Sequence, residues 1–352
     1  MVMAATGGTG GRQMRGVMLR RHGGPESLRL TDLPDPSPGP GQVLVRVKAI
    51  GLNYAEVLSR KGLYGWAPKR PYVPGMEAFG EIAAAGPGVE RREGEPVIVG
   101  TQHGAYAELI VVDQAQALPA VGEWSDEENA AFAVNYMTAW VALHRMARLR
   151  PDDTVLVQAA AGGVGTAAVQ LARRFGCSVY GTASAADKLA LLHELGIDGA
   201  INYGTTDFEA EVRRLTGGRG VDVVVEVVGG EVFRKSVRLL APFGRILAVG
   251  FAGYNLKMWN PLSWYRTWRD VPKAGIVEMS ERSFGIMASH LGYLLKSPEL
   301  VRQAWDELTA FVAEHSIRPV VGHVMGLEDV AEAHRLMESR RSRGKIVLRV
   351  DG

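Results

Sequence analysis

The chain is short of cysteine, of net charge and of long apolar runs, and each shortage excludes something. Cys177 is the one cysteine in 352 residues, which rules out an intramolecular disulfide framework and any four-thiolate zinc site and fits a reducing, cytoplasmic setting. Forty Lys plus Arg against 38 Asp plus Glu leave a formal net charge of +2. With no basic run longer than two residues, there is no electrostatic footprint for nucleic acid or for an anionic lipid surface. No stretch of about 20 apolar residues exists to cross a bilayer. Residues 1–14 (MVMAATGGTGGRQM) lack the apolar core of a signal peptide and read as a disordered tail or the remnant of an expression tag.

What is present describes a soluble globular protein. Hydrophobic residues make up 47% and charged residues 22%, close to globular averages, and the length suits two domains. Glycine is in excess, 43 residues, so the backbone turns tightly or approaches something closely at many places. Up to Val121 the text is β-rich and irregular: QVLVRVKAI (Gln42 to Ile50) alternates at period two, and PDPSPGPGQ (Pro34 to Gln42) breaks the pattern. A largely apolar helix is predicted over Asn129 to Met146, its start marked by Ser125 and three acidic residues. Between Asp153 and Ser280 strand-like runs alternate with helical segments: TVLVQAA, SVYGTAS, GAINYG, VDVVVEVV, GRILAVG and KAGIVEM. That succession predicts a doubly wound parallel sheet covered on both faces. Helices over Val301 to Ala313 and Leu327 to Ser339 and a closing strand Lys345 to Val350 follow.

After the first strand of the alternating unit stands Ala159-Ala160-Ala161-Gly162-Gly163-Val164-Gly165, leading straight into an amphipathic segment. A strand, a glycine-rich turn and a helix N-terminus together make a phosphate cradle, because backbone N–H groups are bare there and the helix dipole favours an anion. Ala160 stands where the dinucleotide fingerprint has its first glycine. The second strand ends Gly181-Thr182-Ala183-Ser184, and Ser184, 22 residues beyond Gly162, stands where an acidic residue would grip a free ribose 2′-hydroxyl. With Ser184, Lys188 and Tyr203 there instead, a 2′-phosphate is favoured and NADPH is the expected cofactor. Lys188 and Tyr203 read equally well as a solvated helix residue and a packed strand-end residue. Cys177 reads as a buried structural thiol and His290 as a packing histidine.

Upstream lies Gly75-Met76-Glu77-Ala78-Phe79-Gly80. In combination with the glycine-rich unit this resembles the medium-chain dehydrogenase/reductase superfamily, whose zinc alcohol dehydrogenases carry Gly-His-Glu there. Met76 replaces the zinc-binding His, and Asn53 stands at the position of an early Cys ligand. Asn53, the AAAGGVG turn, Lys188 and Tyr203 resemble the zinc-free quinone oxidoreductase branch. GLNYAEVLSRKGLYG, VNYMTAW and HLGYLL are similar in particular to its synaptic vesicle membrane protein subgroup.

The resemblance implies a GroES-like β-barrel catalytic domain, residues 15–128 with 284–352, around a Rossmann cofactor domain, residues 129–283. It also implies no metal and a homodimer. The expected reaction is hydride transfer from NADPH to a quinone or an α,β-unsaturated carbonyl, with a small apolar substrate; a cofactor-binding sensor or interaction protein with little catalysis is the rival. Asn53 and Tyr64 are the candidate catalytic donors. Ala161, Gly162, Gly163, Val164, Gly165, Thr182, Ser184, Lys188 and Tyr203 are expected at the cofactor, joined by Asn53, Thr138, Gly250, Phe251, Gly344 and Lys345. The aromatic stretch from Phe251 to Trp268 reads as a substrate wall or a dimer contact.

Overall fold

The computed structural model describes residues 12–250 and 275–351. Two sheets organise them. In the first, β3 (Gln42–Gly51) is the central strand, with β4 (Glu77–Ala85) antiparallel on one side. On its other side β6 (Leu109–Asp113) takes the first half of β3 and β15 (Lys345–Arg349) the last three residues. β5 (Pro96–Gly100) and β7 (Ala117–Pro119) extend the sheet beyond β4, and β14 (Val321–Gly326) extends it beyond β15. The two ends of the chain thus share one β domain, as expected of a GroES-like fold. The period-two signal in β3 holds where one face is solvated: Val43, Val45 and Val47 are buried while Arg46 is exposed. It is lost at Ala49 to Gly51, where all three residues are buried.

The second sheet has the order β10 (Gly199–Asn202), β9 (Ser178–Ala183), β8 (Thr154–Val157), β11 (Val221–Glu226), β12 (Leu240–Ala248), β13 (Gly285–Ala288). Its pairings are parallel throughout. Numbered from β8, this is the 3-2-1-4-5-6 order of a Rossmann sheet, whose direction of winding reverses beside β8. Val223, Val224 and Val225 are all fully buried because helices cover both faces.

Three expectations are corrected. Gln13 and Met14, assigned to the tail, belong to β1 (Gln13–Val17), which pairs with β2 (Leu30–Pro34); Met14 is buried against Leu33, Ala107 and Leu109. The run KAGIVEM is not the sixth strand: Ile276–Arg282 is helical and Gly285–Ala288 supplies the strand. A short apolar run carries no periodicity with which to tell the two apart. This carries the cofactor sheet past residue 283, and the β domain is rejoined only at β14. The helix expected over Asn129 to Met146 is broken into Asp126–Ala130 and Ala133–Trp140, then continues into a wider turn, Val141–Met146, where the N–H of Ala147 bonds to Ala142 O five residues back.

The linking helix Ala133–Trp140 packs on the helix Gly163–Arg174 and on Pro298–Glu314, within one core that also includes Phe79, Ile98 and Leu118 of the β domain. A continuous apolar core therefore fixes the two sheets against each other around the cleft.

Candidate active site

A cleft of about 840 Å³ opens between the two sheets, within the range of cofactor and substrate pockets. The carboxyl ends of the cofactor-sheet strands feed it: Ala159, Ala161, Gly162 and Gly163 after β8, Ser184 after β9, Tyr203 after β10, Val227 after β11, Gly250 after β12, Ser289 and His290 after β13. Asn53 and Tyr64 line it from the β domain, Thr138 from the linking helix, and Gly344 and Lys345 from the returning chain. Ala161, Val164, Gly165, Thr182 and Lys188 line it too, so the predicted site residues meet in one cavity. Phe251 and the aromatic stretch to Trp268 lie outside the described residues.

The glycine turn is built by neighbours as much as by its own sequence. Gly162 caps the helix Gly163–Arg174, so the first-turn N–H groups of Gly163, Val164 and Gly165 have no intrahelical acceptor. No acidic residue lies in that turn. The N–H of Gly344 donates to Ala161 O at 2.8 Å, pinning the returning chain to the turn. A Cβ on Gly165 would lie 2.5 Å from Ala159 O, so this glycine serves close packing of helix on turn. Gly163 is closely packed as well: its Cβ would lie 2.4 Å from Asn135 Nδ2. Thr182, expected to contact the cofactor, turns its hydroxyl away: Oγ1 donates to Gln158 Oε1 at 2.7 Å and accepts from the N–H of Ala159 at 3.1 Å. It braces the turn.

Asn53 needs the same correction. Its Nδ2 donates to Glu77 Oε1 at 3.0 Å and to Gly51 O at 3.3 Å, and its Oδ1 accepts from Lys345 Nζ at 2.7 Å. Both amide hydrogens are engaged inside the protein, so the side chain has no N–H left for a substrate. Lys345 Nζ also bonds Glu77 Oε1, and the other Glu77 oxygen accepts from the N–H of Val134 at 2.8 Å. Lys345 is 2% exposed and Glu77 fully buried. An ammonium has three N–H groups. Two are used here, and Lys345 is among the residues that line the cleft.

Beneath this pair lies a carboxylate that composition did not reveal. Glu56 accepts from the N–H groups of Asn53 (2.6 Å) and Met76 (2.8 Å) and from the Tyr106 hydroxyl (2.8 Å), which also contacts His334 Nε2 at 3.1 Å. It thereby ties the Asn53 loop to the Met76 loop. Burial pushes Glu56 up to about 7. Burial, with Arg60 and Lys61 nearby, pushes His334 down to about 3.

A histidine held neutral in the fold protonates in the unfolded chain first, so its share of stability is full above about pH 6.5 and lost as pH falls toward 3, at about 1.4 kcal/mol per unit. Glu56 acts in the opposite sense, costing stability as pH rises from about 4.5 to 7. Between pH 6.5 and 4.5 the two slopes oppose each other, so replacement of His334 by Gln should leave Glu56 uncompensated and make the unfolding free energy rise as pH falls, relative to the parent, read from urea titrations at several pH values. An unchanged slope would refute this assignment.

At the other end of the cleft Lys188 Nζ donates to Arg340 O at 2.7 Å, and Ser184, Tyr203, Arg340 and Ser342 line the cleft as well. Arg340 and Ser342 were missed from sequence. The charged residues lining the cleft are Lys188, Arg340 and Lys345; no Asp or Glu is among the described lining residues. Cys177 lies away from the cleft with Sγ 3.3 Å from Arg150 O, and burial pushes the thiol up to about 12, as suits a structural residue. No group of three or more His, Cys, Asp or Glu among the described residues is placed to hold a metal ion. No described helix is long and apolar enough to cross a membrane.

Residues 39–122 match the model of the alcohol dehydrogenase GroES-like domain, and residues 195–348 match that of the zinc-binding dehydrogenases. The chain belongs to the medium-chain dehydrogenase/reductase superfamily. It is an oxidoreductase of that type. The synaptic vesicle membrane protein VAT-1 homolog of Rattus norvegicus is 37% identical over 95% of this chain and 84% of its own length. Escherichia coli quinone oxidoreductase, solved in complex with NADPH, superposes with a TM-score of 0.84 at 27% identity, over 95% of this chain and 99% of that one. A structure described as an NAD-dependent alcohol dehydrogenase gives 0.82 at 35% identity, over 96% and 100%.

Proposed function

We propose that the protein is an NADPH-dependent, zinc-independent reductase of quinones or α,β-unsaturated carbonyls. One observation carries the reading: Lys188 and Arg340 line the cleft with Ser184 and Tyr203, and the described lining residues include no carboxylate, so that end of the cavity suits an anion of several charges. NADPH bound there supplies the hydride. The first-turn N–H groups of Gly163, Val164 and Gly165 hold the pyrophosphate. Lys188, Arg340, Ser184 and Tyr203 hold the 2′-phosphate, and a free ribose finds no acidic partner.

At the other end, Lys345 directs its remaining N–H at the oxygen that gains charge as the acceptor is reduced, and Tyr64 supplies a proton. Apolar walls from Leu52, Leu58, Leu63 and Met137 keep water out. Zinc independence follows from the donors: a metal bound by Asn53 and Glu77 would have to displace the ammonium already paired with them, and Met76 offers only a weak thioether. Exposed Phe243, Ile276 and Val277 near the β12–β13 edge favour a homodimer through the cofactor sheets.

The test is a spectrophotometric screen of NADPH and NADH consumption with quinones, enones and aldehydes, alongside zinc analysis. Preferred oxidation of NADPH with a quinone or enone and no stoichiometric zinc is expected. Stoichiometric NADPH binding without turnover would favour a sensor. One zinc per chain with alcohol oxidation would overturn the reading.

A further inference from the structure

Tyr64 and His290 are 226 residues apart and come from the two domains, yet Tyr64 Oη lies 2.9 Å from His290 Nε2 inside the cleft. The Trp66 ring stacks on the imidazole at 4.0 Å between centroids and 22° between planes, and Tyr293 meets it edge-on at 5.9 Å. The ring orientation is thus fixed by packing. His290 Nδ1 is buried and has no hydrogen-bond partner among the described residues. Nor does the Tyr64 hydroxyl have a second one there.

These facts select a tautomer. Burial lowers the basicity of His290, so the ring is neutral and carries one proton. On Nδ1 that proton would be a buried donor without an acceptor, the rarer and costlier defect; on Nε2 it leaves Nδ1 as a bare lone pair and makes a good bond to Tyr64. The Tyr64 oxygen then accepts, and its own O–H is released toward the cleft.

Resting on the reading of this cleft as a carbonyl or quinone reductase site, we propose that His290 is a positioning residue: its Nε2–H holds the Tyr64 oxygen and turns the phenolic proton toward the substrate oxygen. As that oxygen gains the electron pair displaced by reduction, the Tyr64 O–H bond breaks and a new O–H bond forms on the substrate. The resulting phenolate keeps the Nε2–H bond and takes a proton from water after product leaves. Burial, reinforced by the charge of Glu56, pushes Tyr64 up to about 12, so without a donor on its oxygen it gives up a proton poorly. A charge-assisted bond of this kind is worth about 10- to 100-fold in rate.

The experiment has two arms. In ligand-free protein, nitrogen NMR of the imidazole rings, with His290 assigned by its loss in His290→Gln, should show a proton on Nε2 and a bare Nδ1. In kinetics with the best quinone or enone, His290→Phe should lower kcat about 10- to 100-fold with NADPH dissociation unchanged. His290→Gln, which keeps an N–H at similar reach, should stay within about threefold of the parent. A proton on Nδ1, or parental turnover in His290→Phe, overturns the proposal. If no acceptor is reduced at all, the reading of the cleft fails, while the NMR arm still decides the tautomer.

Discussion

Replacing Lys345 by Met should lower turnover about 100-fold and also destabilise the fold, and the two effects should separate in a second variant. Lys345 is buried with Glu77, and its ammonium bonds Asn53 Oδ1 as well as the carboxylate. Without it Glu77 keeps only the Asn53 amide and the N–H of Val134, which leaves a buried charge uncompensated. Breaking such a pair from one side costs about 3–5 kcal/mol. Adding Glu77→Gln to Lys345→Met removes the stranded charge, so the double variant should regain most of the lost stability. On the proposed role of Lys345 it should not regain turnover, because the N–H assigned to the acceptor oxygen is still missing, and one donor of that kind is worth about 10²–10³ in kcat. Thermal unfolding and kcat on the two variants decide the matter. If turnover returned together with stability, Lys345 would be a structural cation with no part in the reaction.

The legibility of this site in the sequence follows the length scale of each interaction. The glycine turn could be found because strand, turn and helix are contiguous, and Ser184, Lys188 and Tyr203 because each sits at a fixed offset from a strand end. Arg340 could not be found that way. It lines the cleft beside Lys188 from the returning chain, 152 residues further on, and a Ser-Arg-Arg-Ser-Arg stretch has the look of a solvated loop. The pair of Glu77 with Lys345 spans 268 residues, and the bond from Tyr64 to His290 spans 226. Periodicity does not signal such partners; the order of strands in the sheets brings them together.

The same limit hides the hydrogen-bond partners of two side chains that line the cleft. Asn53 is expected to offer an amide N–H and Thr182 to contact the cofactor, but buried polar groups are satisfied by whatever lies nearest, and for the Asn53 amide and the Thr182 hydroxyl that neighbour is another part of the protein. Conversely, the alternation of strands and helices in the cofactor domain is legible almost to the residue, since Phe208–Leu215 and Ser178–Ala183 carry strong local patterns. The sixth strand, four residues long, does not.

The coenzyme preference should reside in two side chains and be removable without touching the chemistry. Lys188→Ala and Arg340→Ala together should raise the Michaelis constant for NADPH about 100-fold and leave that for NADH within about threefold, since each hydrogen bond to a charged group is worth about 1.5–3 kcal/mol. The backbone makes the Arg340 substitution clean. Lys188 Nζ bonds the carbonyl of Arg340, which alanine retains, so Arg340→Ala reports on the guanidinium alone. Arg340 has a left-handed φ of 58°, and alanine carries the same steric cost there, so the loop gains no slack. Because the 2′-phosphate is read by charges at a partly open site, the parent's preference for NADPH should shrink as salt rises, and the double variant should show almost no salt dependence. Turnover with saturating coenzyme should match the parent, since neither residue reaches the acceptor end of the cleft. Equal losses for NADPH and NADH would place Lys188 and Arg340 in the structure of the loop and move the 2′-phosphate site elsewhere.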